Sequence, residues 1–196
     1  LVSYAQERID VVLLGYFLSA REVGLFSFAL SSARGLLILP AAFMQNFDPL
    51  MARLWCEQKL AEIESHARRT QLYCIAIMWP AIVLAVLVYA VFVSPIMGPE
   101  YQETLWIFSL LAFGIAVFST VVWSGGMLVM AGFARANLWR TSSILLLGVL
   151  LNVTLVSTLG MQGAAFAAFL QMVASVLVQQ YYVKRYLNLD LFGRLG

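Results

Sequence analysis

The sequence predicts an all-α protein: a polytopic membrane helical bundle with about six transmembrane helices. Three observations carry that prediction. Hydrophobic residues make up 62% of the chain and charged residues 11%, with a mean hydropathy of +0.88, outside the range of soluble globular domains. The stretches Ile75 to Val93 and Ile144 to Leu155 are near-continuous apolar runs, where the strands of a barrel would alternate over about ten residues. The length of 196 residues accommodates about six spans of about 20 residues joined by short loops.

The first span is Leu1 to Ala20, closed by a polar corner from Ser19 to Glu22. It lacks a starting Met, a basic leader and a small-residue cleavage site, and it carries Glu7, Arg8 and Asp10 in mid-segment, so it does not read as a secretory signal. The missing Met suggests a piece of a longer chain. The second span, Glu22 to Arg53, would be roughly 46 Å long as a helix, longer than the roughly 30 Å hydrocarbon core. Pro40 removes a backbone donor, which predicts a bend where Leu39 meets Pro40. Ser31, Arg34, Ile38, Ala41, Gln45 and Asp48 recur at intervals of three and four, so an unbroken helix would place them on one face.

Residues 54–70 carry both signs of charge together with an apolar stripe of Leu54, Trp55, Leu60, Ile63 and Ala67, the pattern of an interfacial amphipathic helix. A third span follows from Gln71 to Val93, then a turn-rich connection from Ser94 to Glu103. The fourth span, Thr104 to Ala131, is interrupted at Ser124, Gly125 and Gly126, and the glycine pair is a candidate hinge. After a loop from Gly132 to Leu138 come the fifth span, Trp139 to Thr158, a turn at Gly160 to Gln162, the sixth span, Gly163 to Val183, and a polar tail. Gly160, Ala164 and Ala168, and beside them Gly163 and Ala167, form small faces suited to close helix packing. Trp106, Trp123, Trp139, Tyr181 and Tyr182 read as interfacial or lipid-facing residues.

Net charge is +2, and the placement of the charges says more than their sum. Arg53, Lys59, Arg68 and Arg69 follow the second span, Arg135 and Arg140 surround the loop after the fourth, and Lys184, Arg185 and Arg194 follow the sixth. Basic residues mark cytoplasmic loops, so both termini are expected in the cytoplasm, with Arg21 the one dissenting charge. Cys56 and Cys74 suit neither a metal site nor a disulfide framework and read as packing residues. His66 sits among Glu62, Glu64, Arg68 and Arg69 and reads as solvated. No metal, cofactor or nucleic-acid motif is present, and no P-loop or nucleophile constellation suggests an enzyme.

The candidate functional residues are the polar groups inside spans, because a charge at the bilayer centre costs about 2.5–3.5 kcal/mol and is kept where it faces protein or a water-filled path. Arg34 is either a contact for an anionic substrate, through its planar fork of donors, or half of an internal ion pair with Asp10 or Asp48. Gln45, Asn46 and Asp48 either line an entry for hydroxyl-rich cargo or rebond carbonyls freed near Pro40. Glu7 and Asp10, three apart on one face, are candidates for a coupling ion, H+ or Na+, with local capping or pairing as the alternative. Asn152 and Gln171 read as groups that bond between helices.

The residues also carry a resemblance. Arg8-Ile9-Asp10, Leu13 to Ala20, Glu22 to Ser27, Phe47-Asp48-Pro49-Leu50, Arg53-Leu54, Phe92 to Tyr101, the Asn152 span and Leu159 to Ala165 come in an order that resembles the second half of the O-antigen-type polysaccharide flippases of the multidrug/oligosaccharidyl-lipid/polysaccharide exporter superfamily. The resemblance implies one six-helix bundle of a two-bundle, alternating-access transporter in the bacterial inner membrane. Its cargo would be a lipid-linked oligosaccharide on undecaprenyl diphosphate, and its partner a missing N-terminal half or a second copy. The alternatives are a drug or other-lipid exporter of the same superfamily and, as a more distant reading, a membrane sugar polymerase or ligase.

Overall fold

A computed structural model describes residues 14–187. It is all-α, with no strand among the described residues. The chain enters through a helical stretch at 14–17 and turns at Ser19, which caps helix α1 (Ala20–Gly35). The predicted polar corner is a capping box: the Glu22 amide donates to the Ser19 hydroxyl at 3.4 Å and the Ser19 amide to the Glu22 carboxylate at 3.0 Å, so each side chain meets an otherwise unpaired amide.

Helix α2 spans Ile38–Cys56. The break between α1 and α2 falls at residues 36–37, slightly before the expected bend at Leu39–Pro40. Leu36 and Leu37 donate to the carbonyls of Ala33 and Arg34, a tightening to three-residue bonds that ends α1. Pro40 then lies in the first turn of α2, where a missing amide costs nothing. Pro49 is the proline inside α2, and it withdraws the donor that would have met the Gln45 carbonyl.

Helix α3 (Leu60–Val88) begins directly after a tight turn and continues through a π-helical turn, Tyr89–Val93, to Met97. Residues 54–56 therefore close α2, and residues 60–70 are the first turns of a long helix. In this arrangement Leu54, Ile63 and Ala67 are buried in protein while Leu60 is exposed. Further along, α3 carries a row of exposed apolar side chains, with Leu84 at 62% and Leu87 at 57% relative exposure. A contiguous apolar face of that kind belongs against lipid.

Helix α4 (Gln102–Ser119) and the short α5 (Ser124–Met130) together form the fourth predicted span. The interruption lies at residues 120–123, just ahead of Gly125-Gly126. Trp123 is 2% exposed, which corrects its assignment to the lipid-facing surface: its ring packs edge-on to Phe47 at 5.9 Å. Helix α6 (Ala134–Leu187) contains both remaining spans, because its backbone leaves helical geometry at Gly160, φ 59° and ψ −136°. That conformation is open essentially to glycine alone. The two arms of α6 fold back on each other, and Gln171 of the second donates to the Ile144 carbonyl of the first at 3.3 Å.

Four of the helical stretches are long and apolar enough to cross a membrane, and the last supplies two antiparallel arms. The chain is a membrane helical bundle. Its interior divides into two apolar clusters. One joins α1, the later part of α3, α4 and the Gly160 end of α6, around Phe26, Leu111 and Ala164; Ala164 and Ala168 pack there as the small-residue spacing predicts, with Ala165 beside them. The other joins α2, the start of α3, α5 and the far end of α6, around Met51, Ile63 and Leu128.

Candidate functional site

Polar groups collect where the two apolar clusters meet. A cavity of about 330 Å³ lies there, between the end of α1, the end of α4 and both arms of α6. Its polar lining consists of Arg34, Arg140, Thr141, Gln171, Ser175 and Gln179. No carboxylate is among the lining residues, so the cavity is cationic.

Each element places its residue for a local reason. Arg34 sits in the last turn of α1, where a cation meets the negative end of the helix dipole, and its side chain is half-buried and not free. Arg140 lies in the second turn of α6. Ile144, Gly148 and Asn152 follow it at intervals of four and are all buried, which turns the Arg140 face of the helix inward. Its Nε is buried with no hydrogen-bond partner.

The amides and hydroxyls are held in place. Gln179 donates from Nε2 to the Val121 carbonyl at 2.9 Å and to the Ser124 hydroxyl at 2.7 Å, clamping α6 across the break between α4 and α5. Thr141 donates to Asn137 at 2.9 Å and Ser175 to Met172 at 2.6 Å. Each hydroxyl oxygen keeps acceptor capacity. Asn152 turns to the Gly148 carbonyl of its own arm at 3.0 Å.

Of the candidate residues, the structure brings Arg34 to the cavity. Gln45 is exposed on α2, and the Asn46 side chain lies outside the described set. Asp48 is half-buried on α2, with its carboxylate against Gly126 of α5 and not in the cavity lining. Glu7 and Asp10 lie outside the described residues. The stripe from Ser31 to Asp48 does not stay on one face, because the turn at 36–37 intervenes: Ile38 and Ala41 are exposed while Arg34 points inward. No group of three or more metal-binding side chains occurs among the described residues.

Arg140 is the residue that sequence reasoning passed over as a site. It counted there as one more basic residue beside a loop. The signal was present in the four-residue spacing Arg140, Ile144, Gly148, Asn152, which marks an inward face rather than a solvated one.

Chemically, two guanidinium groups from different helices in a half-open cavity suit a planar, multiply charged oxyanion, since each offers a rigid fork of donors. The volume is at the low end for ligand sites, which run about 300–1,000 Å³. It suits a headgroup rather than a whole lipid-linked saccharide. Comparison with protein-family models, with characterised proteins and with solved structures finds no match to this chain.

Proposed function

We propose that this chain is one bundle of a membrane carrier that flips a lipid-linked oligosaccharide from the inner to the outer leaflet of a bacterial inner membrane. The carrier would work by alternating access and be driven by H+ or Na+. The observation that carries this reading is the convergence of Arg34 and Arg140 on one cavity without a lining carboxylate. A cationic pocket inside an apolar bundle is costly and is explained by an anionic group that enters it. The diphosphate of a polyprenyl-diphosphate sugar is such a group. A cationic drug would be repelled, so among exporters the cavity favours anionic lipids.

The small volume supports a second feature of the proposal. Sugars and lipid tail must lie in space bounded by other protein, which a second bundle would supply: an N-terminal half or another copy of this chain. On this reading the α2–α3 junction, with Arg53 and Lys59, and the start of α6, with Arg135, are cytoplasmic.

The test is complementation of a bacterium lacking its O-unit flippase, using this chain alone, the chain with the upstream sequence of its gene, and each with Arg34→Ala or Arg140→Ala. Surface polysaccharide should return with a two-bundle form and fall at least about tenfold with either substitution, the loss of about 1.4 kcal/mol of charge-assisted bonding. Absence of rescue by well-inserted protein across several sugar types would overturn the reading.

A further inference from the structure

Three neutral side chains of the cavity wall have already spent their hydrogens on the protein. Gln179 donates from Nε2 to the Val121 carbonyl at 2.9 Å and to the Ser124 hydroxyl at 2.7 Å. The Ser124 hydrogen is itself committed to the Val121 carbonyl at 2.8 Å, so both neighbours of Nε2 can only accept there, and the orientation of the amide is fixed. An amide nitrogen carries two hydrogens, and both are used. What Gln179 offers the cavity is its carbonyl oxygen. Thr141 gives its one hydrogen to the Asn137 carbonyl at 2.9 Å and Ser175 to the Met172 carbonyl at 2.6 Å, the back-bonding usual for hydroxyls on helices. They too line the cavity with oxygen lone pairs left over.

The wall therefore has two chemistries. Arg34 and Arg140 can only donate, whereas Gln179, Thr141 and Ser175 accept. A bare oxyanion satisfies the first set and is opposed by the second, because it brings no hydrogen to those oxygens, and turning a hydroxyl towards it would break a bond to a carbonyl. A phosphate ester whose organic part carries hydroxyls satisfies both. We infer that Gln179, Thr141 and Ser175 read hydroxyl groups on the ligand, so that the cavity selects a glycosyl phosphate over a phosphate on an unsubstituted hydrocarbon.

The placement of the acceptors favours a sugar over the glycerol phosphate of a lipid headgroup. Thr141 belongs to the first arm of α6, and Ser175 and Gln179 to the second, where they stand one turn apart, about 6 Å by helical rise. Acceptors on two sides of a cavity suit hydroxyls arranged around a ring, whereas the two hydroxyls of a glycerol phosphate sit on adjacent carbons. A carrier with such a wall recognises more than charge. It passes over the same lipid phosphate once its sugar is gone, and so tells loaded cargo from the bare lipid.

This inference rests on the anion-carrier reading, and its test separates the two. The full chain in nanodiscs is titrated at pH 8 with glucose 1-phosphate, cyclohexyl phosphate, glycerol 3-phosphate and farnesyl diphosphate. The first two are monoesters of six-membered rings with equal charge, one hydroxylated and one bare. Glucose 1-phosphate should bind at least about tenfold tighter than cyclohexyl phosphate or glycerol 3-phosphate, as a few net hydrogen bonds would give. Gln179→Met would also undo the clamp across α4 and α5, so Thr141→Val combined with Ser175→Ala, which cut only bonds within their own helical turns, carries the test. The double variant should lower the preference for glucose 1-phosphate at least about threefold, read as a ratio within one protein so that a general loss of affinity cancels. Equal binding of glucose 1-phosphate and cyclohexyl phosphate, a preference that the double variant leaves intact, or binding of farnesyl diphosphate alone would overturn the hydroxyl reading while the anion site stands. Glycerol 3-phosphate binding as tightly as the sugar phosphate would overturn the sugar in favour of a lipid headgroup. If none of the four binds to protein that remains folded by gel filtration, the carrier reading falls, and the hydroxyl reading with it.

Discussion

At the scale of single residues, Arg140 separates a functional from a structural account. A guanidinium with a buried, unsatisfied donor costs stability, of order 1–3 kcal/mol. If it is retained for a ligand, replacing it with an apolar side chain of similar length should relieve that cost. Arg140→Met is therefore expected to raise the unfolding temperature in detergent while abolishing diphosphate binding; a lower unfolding temperature would make Arg140 a structural group. Arg34 is already engaged, so it should be less forgiving. Arg34→Lys keeps the charge but loses the planar fork, and binding should weaken by on the order of tenfold, read from a titration of the full chain in nanodiscs with farnesyl diphosphate.

At the scale of elements, the backbone at two junctions governs how the cavity is assembled. Gly160 allows α6 to reverse and bring Gln171 and Gln179 back alongside Arg140. Its φ of 59° and ψ of −136° would strain any other residue by about 1–3 kcal/mol. Gly160→Ala should lower the thermal stability accordingly, whereas alanine at the exposed Gly24 in α1 should not. The turn between α2 and α3 is held by charge. Glu57 accepts from Arg53 at 2.7 Å and lies 3.0 Å from Lys59, while Gln58 takes a left-handed φ of 57°. The Arg53 bond, and then Lys59, hold the Glu57 carboxyl below its ordinary range, and Glu57 in turn raises Lys59. A lowered carboxyl contributes its stabilisation above its unfolded value and loses it as pH falls through the folded value. Amide exchange at residues 57–60, corrected for intrinsic rates, should thus quicken below the ordinary carboxylate range. Glu57→Gln should show the faster rate already at neutral pH.

At the scale of the whole molecule, the bundle is turned outward for lipid and inward for two apolar clusters, with the cationic cavity at their junction. The outward surface can be tested without any ligand. Trp139 is 63% and Trp79 41% exposed, whereas Trp123 is 2% exposed. In single-tryptophan variants reconstituted with brominated lipids, fluorescence of Trp79 and Trp139 should be quenched and that of Trp123 should survive. Equal quenching of all three would mean that the α4–α5 break is not enclosed as described.

The bundle class, the kinked second segment and the reversal near Gly160 were readable in the chain because each follows from local chemistry. A bilayer leaves a long apolar run no state but a helix, Gly160 breaks that helix where it falls, Pro40 marks the kink to within a few residues, and Ser19 with Glu22 caps the first helix. Arg34 was readable too, since a charge among apolar residues must find a polar surface. The partnership of Arg34 with Arg140, and the displacement of Gln45 and Asp48 from the cavity, came only from tertiary packing. Helical spacing tells which residues share a face only while the helix is unbroken, and the turn at 36–37 resets that register between Arg34 and Asp48. Which charge near a helix end is solvated and which is drawn inward is likewise settled by neighbouring elements. For Arg140 the deciding neighbours are Gly125 and Gln179, far away in the chain and adjacent only in the fold.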